Sequence, residues 1–529
     1  TGEKHRADKY ADFKKILKQV AEHPNPKYFI FKSIIVNNLF GVDIMEEAVE
    51  ICKLRLFLKL VAQIDSAERI EPLPDIDFNI RAGNTLVGFA TYDEVKLAVT
   101  SKLDFENNMG RIEEQAEEVD RLFKLFHQQQ TALGGEVTPE DKQELRKRLK
   151  ILEDELNQYL AREYGIDTNN KTAYKKWLAS HKPFHWFIEF YGILKNGGFD
   201  VIVGNPPYVE YSKVKGDYAI KGYQTESCGN LYALVWERCL SIARPVGNVG
   251  MIVPVASVCT DSYEPLQVCL RESGTFFVSN FNDRPSKLFE GLEHIRLSII
   301  LHKKGANKGT SFSTTYNKWQ SIERPNLFDK LAFVNTTDLN VSGALAKIGT
   351  FIEASIIRKF HNDQGLIMNY VNPKDSFCIY YTRKLSHFVQ ILDFIPIIKD
   401  DKGHKREPSE LKNICFASSQ ERDVFLALLN SSLFYWLLTV YSDCRNLNKR
   451  EIDNARFNIV KTDQKIVLKL VKLCRALMED IQKNSRMLKM SYRDMGTLQI
   501  QCTYPKHSKS IIDEIDSVLA KHYGFTDEE

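Results

Sequence analysis

Short apolar runs alternate with helix-like segments from Asn38 to about Lys303. This alternation is typical of a sheet whose strands are joined by helical crossovers, which make the strands parallel. We therefore predict an α/β fold with a doubly wound sheet. Its strands are predicted near Leu39–Asp43, Asp77–Arg81, Phe199–Gly204, Asn248–Val253, Phe276–Phe281 and Ile295–Leu301.

A different pattern interrupts the sheet between the second and third predicted strands. Residues from Arg111 to Tyr164 are dense in Glu, Lys, Arg, Gln and Leu, with one break at Leu133-Gly134-Gly135. This composition predicts a helical hairpin inserted into the sheet domain. Its irregular apolar spacing favours an arm that packs on its neighbours over the alternative, a coiled-coil partner site.

The alternation stops after Lys303, where a polar connector leads into mixed short elements up to about Lys461. The connector contains Gly305, Asn307, Gly309 and Thr310. Helical spacing then predicts one helix over Lys465–Tyr492 and another over Ile511–Tyr523. We predict two parts of the sheet domain at 1–100 and 191–305, the helical insertion at 101–190, and a second, mixed α/β domain at 306–529.

Composition changes this picture little. The net charge of the 529 residues is only +3, so any contact with nucleic acid must come from local basic patches. The 10 cysteines form no Cys-x-x-Cys pair and signal neither a disulfide framework nor a metal site, which favours a reducing cytoplasm. No apolar run approaches the roughly 18 residues of a membrane span, so we expect no membrane association. Because Thr1 stands where an initiator Met would, we expect a piece of a longer protein.

The strongest chemical signal is the string Asn205-Pro206-Pro207-Tyr208, which directly follows the predicted strand Phe199–Gly204. We predict a buried strand that ends in a rigid turn, at the sheet edge where ligands bind in α/β folds. Asn205 can offer a side-chain carbonyl and Pro206 a backbone carbonyl, and two prolines fix both acceptors. Such acceptors can polarise the amino group of a nucleobase. The alternative is an ordinary turn, since Asn-Pro is a common turn dipeptide.

The complete string resembles motif IV of the DNA amino-methyltransferases, and Asn205 in its first position resembles the adenine-modifying members. The resemblance implies a Rossmann-like methyltransferase sheet and S-adenosyl-L-methionine as cofactor. It also implies that Tyr208 stacks on a base swung out of the duplex. Methylation of RNA or of a protein glutamine would use the same four residues, but those enzymes are generally compact.

Two segments before this turn resemble the cofactor-binding motifs of the same family. Asp43 and Ile44 end an apolar strand as in motif II, which implies that Asp43 binds the ribose hydroxyls and Ile44 contacts the adenine. Asn84 follows the next strand as in motif III and is expected to read the adenine amino group. Without the resemblance, Asp43 would be an ordinary helix N-cap.

Three segments after the turn resemble motifs V, VI and VIII. Asn230–Leu234 opens a helix, and Val249–Pro254 is a strand; in the family both line the pockets. Phe289 lies in a loop between two strands, and the resemblance implies that it packs on the flipped base. Burial in the hydrophobic core is the alternative for Phe289.

The second domain resembles the target-recognition region of gamma-class adenine methyltransferases fused into type IIG restriction-modification enzymes. The apolar run Leu428–Trp436 is followed by a cluster that can bind double-stranded DNA, because Arg pairs with guanine, Asn with adenine and Lys with phosphate. The alternative is a solvated helix end. The candidate reading residues are Arg445, Asn446, Asn448, Lys449 and Arg450.

One family element is missing from the sequence. The family's cofactor loop, an acidic-Pro-x-x-Gly-x-Gly turn before motif II, does not occur in the 529 residues, and no Gly-x-Gly-x-x-Gly string replaces it. We expect this loop, and any nuclease, upstream of Thr1 or in another subunit. The expected function is methylation of adenine N6 at a specific DNA sequence within a prokaryotic restriction-modification system. The alternative is a non-catalytic recognition subunit on a methyltransferase-like fold.

Overall fold

The structure is a computed structural model that describes residues 11–64, 71–99, 105–131, 138–305, 309–385, 388–408, 410–492 and 496–529. The chain divides into two compact units. Unit 1 comprises residues 1–203 and 207–249, and unit 2 comprises residues 204–206 and 250–529. One boundary between the units lies at the end of the third strand, between residues 203 and 204. Another lies within the fourth strand, between residues 249 and 250. The predicted domain boundaries at residues 100, 190 and 305 stay predictions.

Unit 1 is mainly helical, with a few short strands between the helices. Its elements are α1 Ala11–Glu22, α2 Pro26–Asn38, β1 Gly41–Asp43, α3 Glu46–Val61, β2 Ile80–Ala82, α4 Tyr92–Val99, α5 Phe105–Thr131, α6 Pro139–Glu163, α7 Lys171–His181, α8 Trp186–Glu189, α9 Tyr191–Lys195, β3 Phe199–Gly204, α10 Tyr211–Val214, a 3-10 helix Gln224–Cys228, α11 Leu231–Ile242 and β4 Ala243–Pro254.

The first two predicted strands are present but are shorter than predicted. Strands β1 and β2 pair in parallel, with Gly41 opposite Ile80 and Asp43 opposite Ala82. Phe78 of the predicted second strand lies before β2 and packs in the apolar cluster of α5 and α6. Ile80 of β2 packs with Tyr28 and Ile76 in a core formed with α2 and α3. Asp43 is the last residue of β1 and therefore lies at the carboxyl end of the strand, as predicted.

The predicted helical hairpin is present as α5 and α6. Ion pairs join Arg111 to Glu155 and Glu118 to Arg148, so the two helices run antiparallel. Their facing sides bury a continuous apolar cluster that also includes residues of α4, α7 and α8. The hairpin is therefore an arm packed on its neighbours rather than a free coiled coil. The predicted break at Leu133-Gly134-Gly135 lies outside the described residues.

Strand β3 has the predicted bounds, but the prediction that it is buried is wrong. Val201 is 61% exposed and Val203 is 78% exposed. An uninterrupted apolar run usually indicates a strand covered on both faces. Here the apolar residues of one face are open, and the run alone could not reveal this.

Unit 2 contains most of the strands. Its elements after β4 are 3-10 helices Val255–Val258 and Asp261–Tyr263, α12 Glu264–Ser273, β5 Gly274–Phe281, β6 Leu297–Lys304, β7 Ser311–Asn317, a 3-10 helix Ser321–Asn326, β8 Val334–Asn335, α13 Phe351–Asn362, a 3-10 helix Ile367–Tyr370, β9 Phe377–Thr382, β10 Ile391–Leu392, β11 Ile398–Lys399, β12 Lys405–Arg406, β13 Leu411–Phe416, α14 Ser419–Leu429, α15 Ser432–Tyr441, α16 Lys449–Asp453, α17 Gln464–Lys483, β14 Arg486–Tyr492, β15 Gly496–Cys502, a 3-10 helix Pro505–Ser508 and α18 Lys509–Tyr523.

The sheets of unit 2 are not purely parallel, since one is mixed and two are antiparallel. Strand β5 pairs antiparallel with β6 and parallel with β7, and β7 pairs antiparallel with β8. Two further sheets have the orders β10-β9-β13 and β12-β11-β15-β14, and all their pairings are antiparallel. The fold is thus mixed α/β with several sheets. The connector residue Asn307 lies outside the described ranges.

The predicted helix Lys465–Tyr492 is wrong in its last third. Helix α17 ends at Lys483, and Arg486–Tyr492 forms strand β14, which pairs along its whole length with β15. The helical spacing of apolar residues stops at Ile481, while Leu488 and Met490 follow a strand alternation. Helices α14, α17 and α18 bury the main core of this unit. The predicted helix over Ile511–Tyr523 is confirmed as part of α18.

One disulfide bond corrects the interpretation of the cysteines. Cys378 and Cys415 are bonded to each other, although 37 positions separate them in sequence. Antiparallel pairing of β9 with β13 places the two residues directly opposite one another. Sequence spacing alone could not show this pair, because it depends on the register of two distant strands.

No single helix in the described part of the chain is long and apolar enough to cross a membrane. Helices α14 and α15 meet the criteria of length and composition only as a pair, and they are bent by 64°.

The loop after β2 depends on Gly88, which has a φ of +134°. A Cβ atom at this position would overlap the backbone carbonyl of Phe184. The backbone amide of Phe184 donates a hydrogen bond to the carbonyl of Val87 at 2.8 Å, so the two segments are held close together. We predict that Gly88→Ala destabilises unit 1 by about 3 kcal/mol. For a unit of this size, that corresponds to a thermal midpoint lower by about 6–12 °C.

Gly222→Ala is the matched control for calorimetry. Gly222 also has a positive φ, of +84°, but a Cβ atom added there would have no neighbouring atom within 4 Å. Its replacement should cost roughly 1 kcal/mol. Equal shifts in the two variants would contradict a role for the contact with Phe184.

Candidate functional site

Asp43 lies exposed at the end of β1 and begins the connection to α3. One carboxylate oxygen, Oδ1, accepts a hydrogen bond from the amide of Met45 at 2.8 Å. The backbone carbonyl of Asp43 accepts from the amide of Gly83 at 2.9 Å, and this bond joins the ends of β1 and β2. The side chain therefore stabilises the turn through one oxygen. Ile44 beside it is half-buried.

Asn84 directly follows this junction and is almost fully buried. Its Oδ1 accepts from the amide of Leu86 at 3.1 Å. Its Nδ2 is buried and has no hydrogen-bond partner among the described residues. A buried donor without a partner costs about 1–3 kcal/mol, so this atom is a candidate ligand contact.

The loop that carries Asn84 is held by the buried guanidinium of Arg238 on α11. Its Nε donates to the hydroxyl of Tyr223 at 2.8 Å, and its other nitrogens donate to Glu94 and to the carbonyl of Gly88. Tyr223 in turn donates to the carbonyl of Leu86 at 3.0 Å. Arg238 therefore connects the loop after β2 with α11.

These residues fit the cofactor that the sequence resemblance implies. A carboxylate at the tip of a strand suits the hydroxyls of a ribose. The atom of Asn84 that lacks a hydrogen-bond partner among the described residues is Nδ2, which is a donor. Its Oδ1 accepts a hydrogen bond from the amide of Leu86. Nδ2 suits an acceptor nitrogen of the adenine ring. The predicted contact of Asn84 with the adenine amino group needs an acceptor; Oδ1 has a second lone pair for it, so this contact stays a prediction.

The turn after β3 presents its four residues differently. Asn205 and Pro207 are exposed, Pro206 is buried and Tyr208 is half-buried. The ring of Tyr208 meets the ring of Tyr232 edge to face, with centroids 6.2 Å apart. Burial raises the pKa of Tyr208 to about 12, so its phenol stays neutral at physiological pH.

Two residues at the start of α11, within the segment that resembles motif V, lie beside this turn, although no role was predicted for either of them individually. Tyr232 is buried and supports Tyr208. Asn230 forms an isolated antiparallel bridge with Glu210, and Leu231 donates to the carbonyl of Val209 at 3.0 Å. The chain thus returns to the turn at the start of α11. A sequence signal existed, since both residues lie in the segment that resembles motif V.

Phe289 lies half-buried in the loop between β5 and β6. Its neighbour Leu288 packs on a small core formed by Phe281, Trp319 and Leu327. Phe289 is not a member of this small core. Leu288 is therefore the residue of this pair that packs on the core around Trp319. The role of Phe289 at the target base stays a prediction.

The predicted reading residues begin in a tight turn organised by Asp443. Its Oδ1 accepts from the amides of Arg445 and Asn446, both at 2.9 Å, and its Oδ2 accepts from the side chain of Asn446. The turn pairs with a second segment, since Leu385 donates to Arg445 and Leu447 donates to Arg383. Exposed Arg383 and Lys384 therefore lie beside exposed Arg445, a neighbourhood that the sequence did not indicate.

The last three predicted reading residues have internal partners. Asn448 caps α16 and its Oδ1 also accepts from Arg383 at 3.1 Å. Lys449 is exposed and lies 3.8 Å from Asp453. The side chain of Arg450 is only 16% exposed and pairs with Asp261 and Glu451. It also donates to the carbonyls of Cys259 and Tyr441. These contacts favour a structural role for Arg450.

Comparison with known proteins adds independent information. Residues 37–273 match the family described as Eco57I restriction-modification methylase. This segment contains Asp43, Asn84 and Asn205–Tyr208 but not Phe289 or Arg445–Arg450. A putative type II restriction enzyme and methyltransferase of Methanocaldococcus jannaschii is 28% identical over 319 residues, covering 51% of this chain and 26% of that protein. The chain thus matches about a quarter of the relative's length.

Solved structures with partial similarity include two restriction-modification enzymes bound to DNA or a DNA mimic. The type IIL enzyme MmeI aligns with 97% of this chain and 75% of its own, at 11% identity and a TM-score of 0.38. The type ISP enzyme LlaGI aligns with 61% of this chain and 48% of its own, at 10% identity and a TM-score of 0.32. The resemblance to restriction-modification methyltransferases that the sequence motifs indicate is confirmed over residues 37–273, where the chain matches the Eco57I restriction-modification methylase family.

Proposed function

We propose that this protein methylates N6 of adenine at a specific sequence in double-stranded DNA, as part of a restriction-modification system. The observation that carries the proposal is the turn Asn205–Tyr208 at the carboxyl end of β3, with Tyr208 braced by Tyr232. The family match over residues 37–273 supports a DNA methyltransferase. The choice of adenine rests on Asn205 in the first position of the turn.

The proposed chemistry uses the turn as a pair of fixed acceptors. An exocyclic amine is a poor nucleophile because its lone pair is delocalised into the ring. Oδ1 of Asn205 accepts one N–H bond and the backbone carbonyl of Pro206 accepts the other, so the lone pair becomes localised as the nitrogen becomes tetrahedral. S-adenosylmethionine, when bound, supplies an electrophilic methyl group. Because the two prolines fix φ, the acceptors need little reorganisation.

The target base must leave the duplex to reach these acceptors. Tyr208 offers its ring face to the base, and Tyr232 prevents that ring from turning away. The neutral phenol of Tyr208 adds no charge next to the aromatic base. Phe289 is the proposed second aromatic contact, supported by its position outside the neighbouring core.

The proposed cofactor contacts lie at the ends of β1 and β2. Asp43 binds the ribose hydroxyls, Ile44 contacts the adenine ring, and Nδ2 of Asn84 donates to a ring nitrogen. The buried donor of Asn84 without a partner in the described residues is the main support for this side of the pocket.

A glycine-rich segment outside residues 1–529, in the same polypeptide or in a separate subunit, is proposed to complete this pocket. The support lies on α3, where an apolar stripe faces outward with side chains 49–60% exposed. An exposed helix stripe of this size is typical of a surface that another segment covers. The stripe consists of Ile51, Leu54, Leu58 and Val61.

The proposed reading surface keeps Arg445, Asn446, Asn448 and Lys449 and adds Arg383 and Lys384 from the paired segment. Exposed Arg445 is the best candidate for a guanine contact, because its guanidinium forms no ion pair within the described residues. Arg450 instead holds the surface in place through its internal contacts.

The first prediction of the proposed function concerns the amine acceptor. In a preparation that methylates DNA, Asn205→Ala should lower turnover by about two to three orders of magnitude, because one preorganised polar contact is lost. Affinity for duplex DNA should stay nearly unchanged. Transfer of a labelled methyl group to a cognate duplex measures the first quantity, and fluorescence anisotropy measures the second.

The matched control is Asn169→Ala, an identical change at an exposed position in the helical insertion. It should retain full turnover. Methylation by Asn205→Ala at a rate near that of the unmodified protein would refute the assignment. Specific DNA binding by the unmodified protein without any methyl transfer would instead support the recognition-subunit alternative.

A second prediction distinguishes a residue that contacts DNA bases, Arg445, from a residue that stabilises the surrounding structure, Arg450. Arg445→Ala should weaken binding to the cognate site by about 1–3 kcal/mol and binding to random DNA much less. Its thermal midpoint should not change. Arg450→Ala should destabilise unit 2 by about 3 kcal/mol, because it leaves Glu451 buried without its cation. If Arg445→Ala weakened binding to cognate and to random DNA equally, Arg445 would contact phosphates rather than bases.

A third prediction concerns the cofactor pocket. Residues 1–529 alone should bind S-adenosylmethionine weakly, because contacts from Asp43 and Asn84 cannot offset the translational entropy lost on binding. Adding the glycine-rich segment should restore both binding and methylation. Calorimetric titration is the measurement, and a dissociation constant in the low micromolar range for the isolated chain would show that the segment is dispensable.

A further inference from the structure

The sheet of order β12-β11-β15-β14 aligns three lysines across its strands. Lys405 lies opposite Lys399, Lys399 lies opposite Gln499, and Gln499 lies opposite Lys489. Directly paired residues in a sheet point to the same face. These four side chains therefore form one line on one face, which we call the lysine row.

The strand alternation places a different set of residues on the opposite face. The adjacent line of paired residues is Arg406, Ile398, Ile500 and Leu488, so that face is mainly apolar. Ser491 and Thr497 are paired with each other two positions beyond Lys489 and Gln499, on the face of the lysine row. The face thus combines lysines with hydroxyl and amide donors, and the exposed Met487 is its apolar member.

The lysine row is unfavourable in the free protein. Like charges directly opposite one another destabilise a sheet, and Lys399 faces Lys405 in this way. None of the three lysines forms an ion pair with any residue in the described ranges. The nearby Asp400 uses its carboxylate to hold the hairpin turn, accepting from the amides of Lys402 and His404. An anionic partner would remove this cost.

The spacing of the row suits a nucleic-acid backbone. Neighbouring strands lie about 4.8 Å apart, so four strands extend the row over roughly 14 Å. Duplex DNA presents phosphates along such a length, and Lys, Ser, Thr and Gln side chains are common phosphate donors. A line of donors that extends across four strands suits an extended backbone better than it suits a single small anion.

We propose that the lysine row is a second DNA-binding surface, which contacts phosphates of duplex DNA without regard to sequence and is distinct from the reading residues around Arg445. The proposal rests on the proposed function, because it assumes that this protein binds duplex DNA. Its new content is the surface: Lys399, Lys405 and Lys489, with Gln499, supply affinity while the reading residues supply specificity.

The test is the salt dependence of binding. A variant with Lys399→Gln, Lys405→Gln and Lys489→Gln should bind both cognate and random duplexes more weakly, by a similar factor on the order of 100-fold at 0.1 M salt. The slope of log K against log salt should fall by about 2.7, that is about 0.9 for each of three lost phosphate contacts. The ratio of cognate to random affinity should not change.

The matched control removes the same charge from the same unit. Lys461→Gln, Lys465→Gln and Lys469→Gln alter three exposed lysines at and near the start of α17. This control should retain the slope of the unmodified protein. An unchanged slope in the first variant, or an equal decrease in both variants, would overturn the proposal.

Two further measurements make the outcomes distinguishable. The thermal midpoint of the free lysine-row variant should be equal to or higher than that of the unmodified protein, because like-charge repulsion is relieved. A lower midpoint would indicate a structural role for the lysines and would count against the proposal. If the unmodified protein binds no duplex DNA, the proposed function fails as well; if it binds and methylates DNA while the slope test fails, only the lysine row is refuted.

Discussion

The buried guanidinium of Arg238 connects the two sides of the candidate site in unit 1. Removing a guanidinium from water costs several kcal/mol unless its donors are satisfied. Here Tyr223, Glu94 and the carbonyl of Gly88 satisfy them. Because Arg238 lies on α11 and its partners lie on or beside the loop after β2, it fixes that loop against the helix. The same helix carries Tyr232, which supports Tyr208, and the same loop begins at Asn84.

Local patterns in the sequence were sufficient for the parts of the site that depend on consecutive residues. The apolar run before Asn205 and the two prolines after it predict a strand and a rigid turn, and β3 has the predicted bounds. The helical hairpin and the helix after Asn230 were predicted for the same reason, since the residues that indicate each of them are consecutive in the chain. The position of Asp43 followed from a strand directly before a helix.

Features that depend on pairing between distant segments could not be predicted. The exposure of Val203 depends on what covers β3. The bond between Cys378 and Cys415 depends on the register of β9 and β13. Arg450 looked like its neighbour Arg445 in the sequence, but its partners come from positions as distant as Asp261.

Unsatisfied polar groups alone do not identify a binding site. Oδ1 of Asn79 also has no hydrogen-bond partner among the described residues, yet its Nδ2 donates to the carbonyls of Val36 and Leu39 and so joins α2 to the strands. Asn84 differs because it follows β2 at the carboxyl end of the parallel pair, where ligands bind in α/β folds. The lysine row differs because its cost is electrostatic, so a polyanion relieves it whereas a neutral ligand does not. An unpaired donor at a strand end and a line of like charges on an open face thus indicate two kinds of partner, a small ligand in the first case and a phosphate backbone in the second.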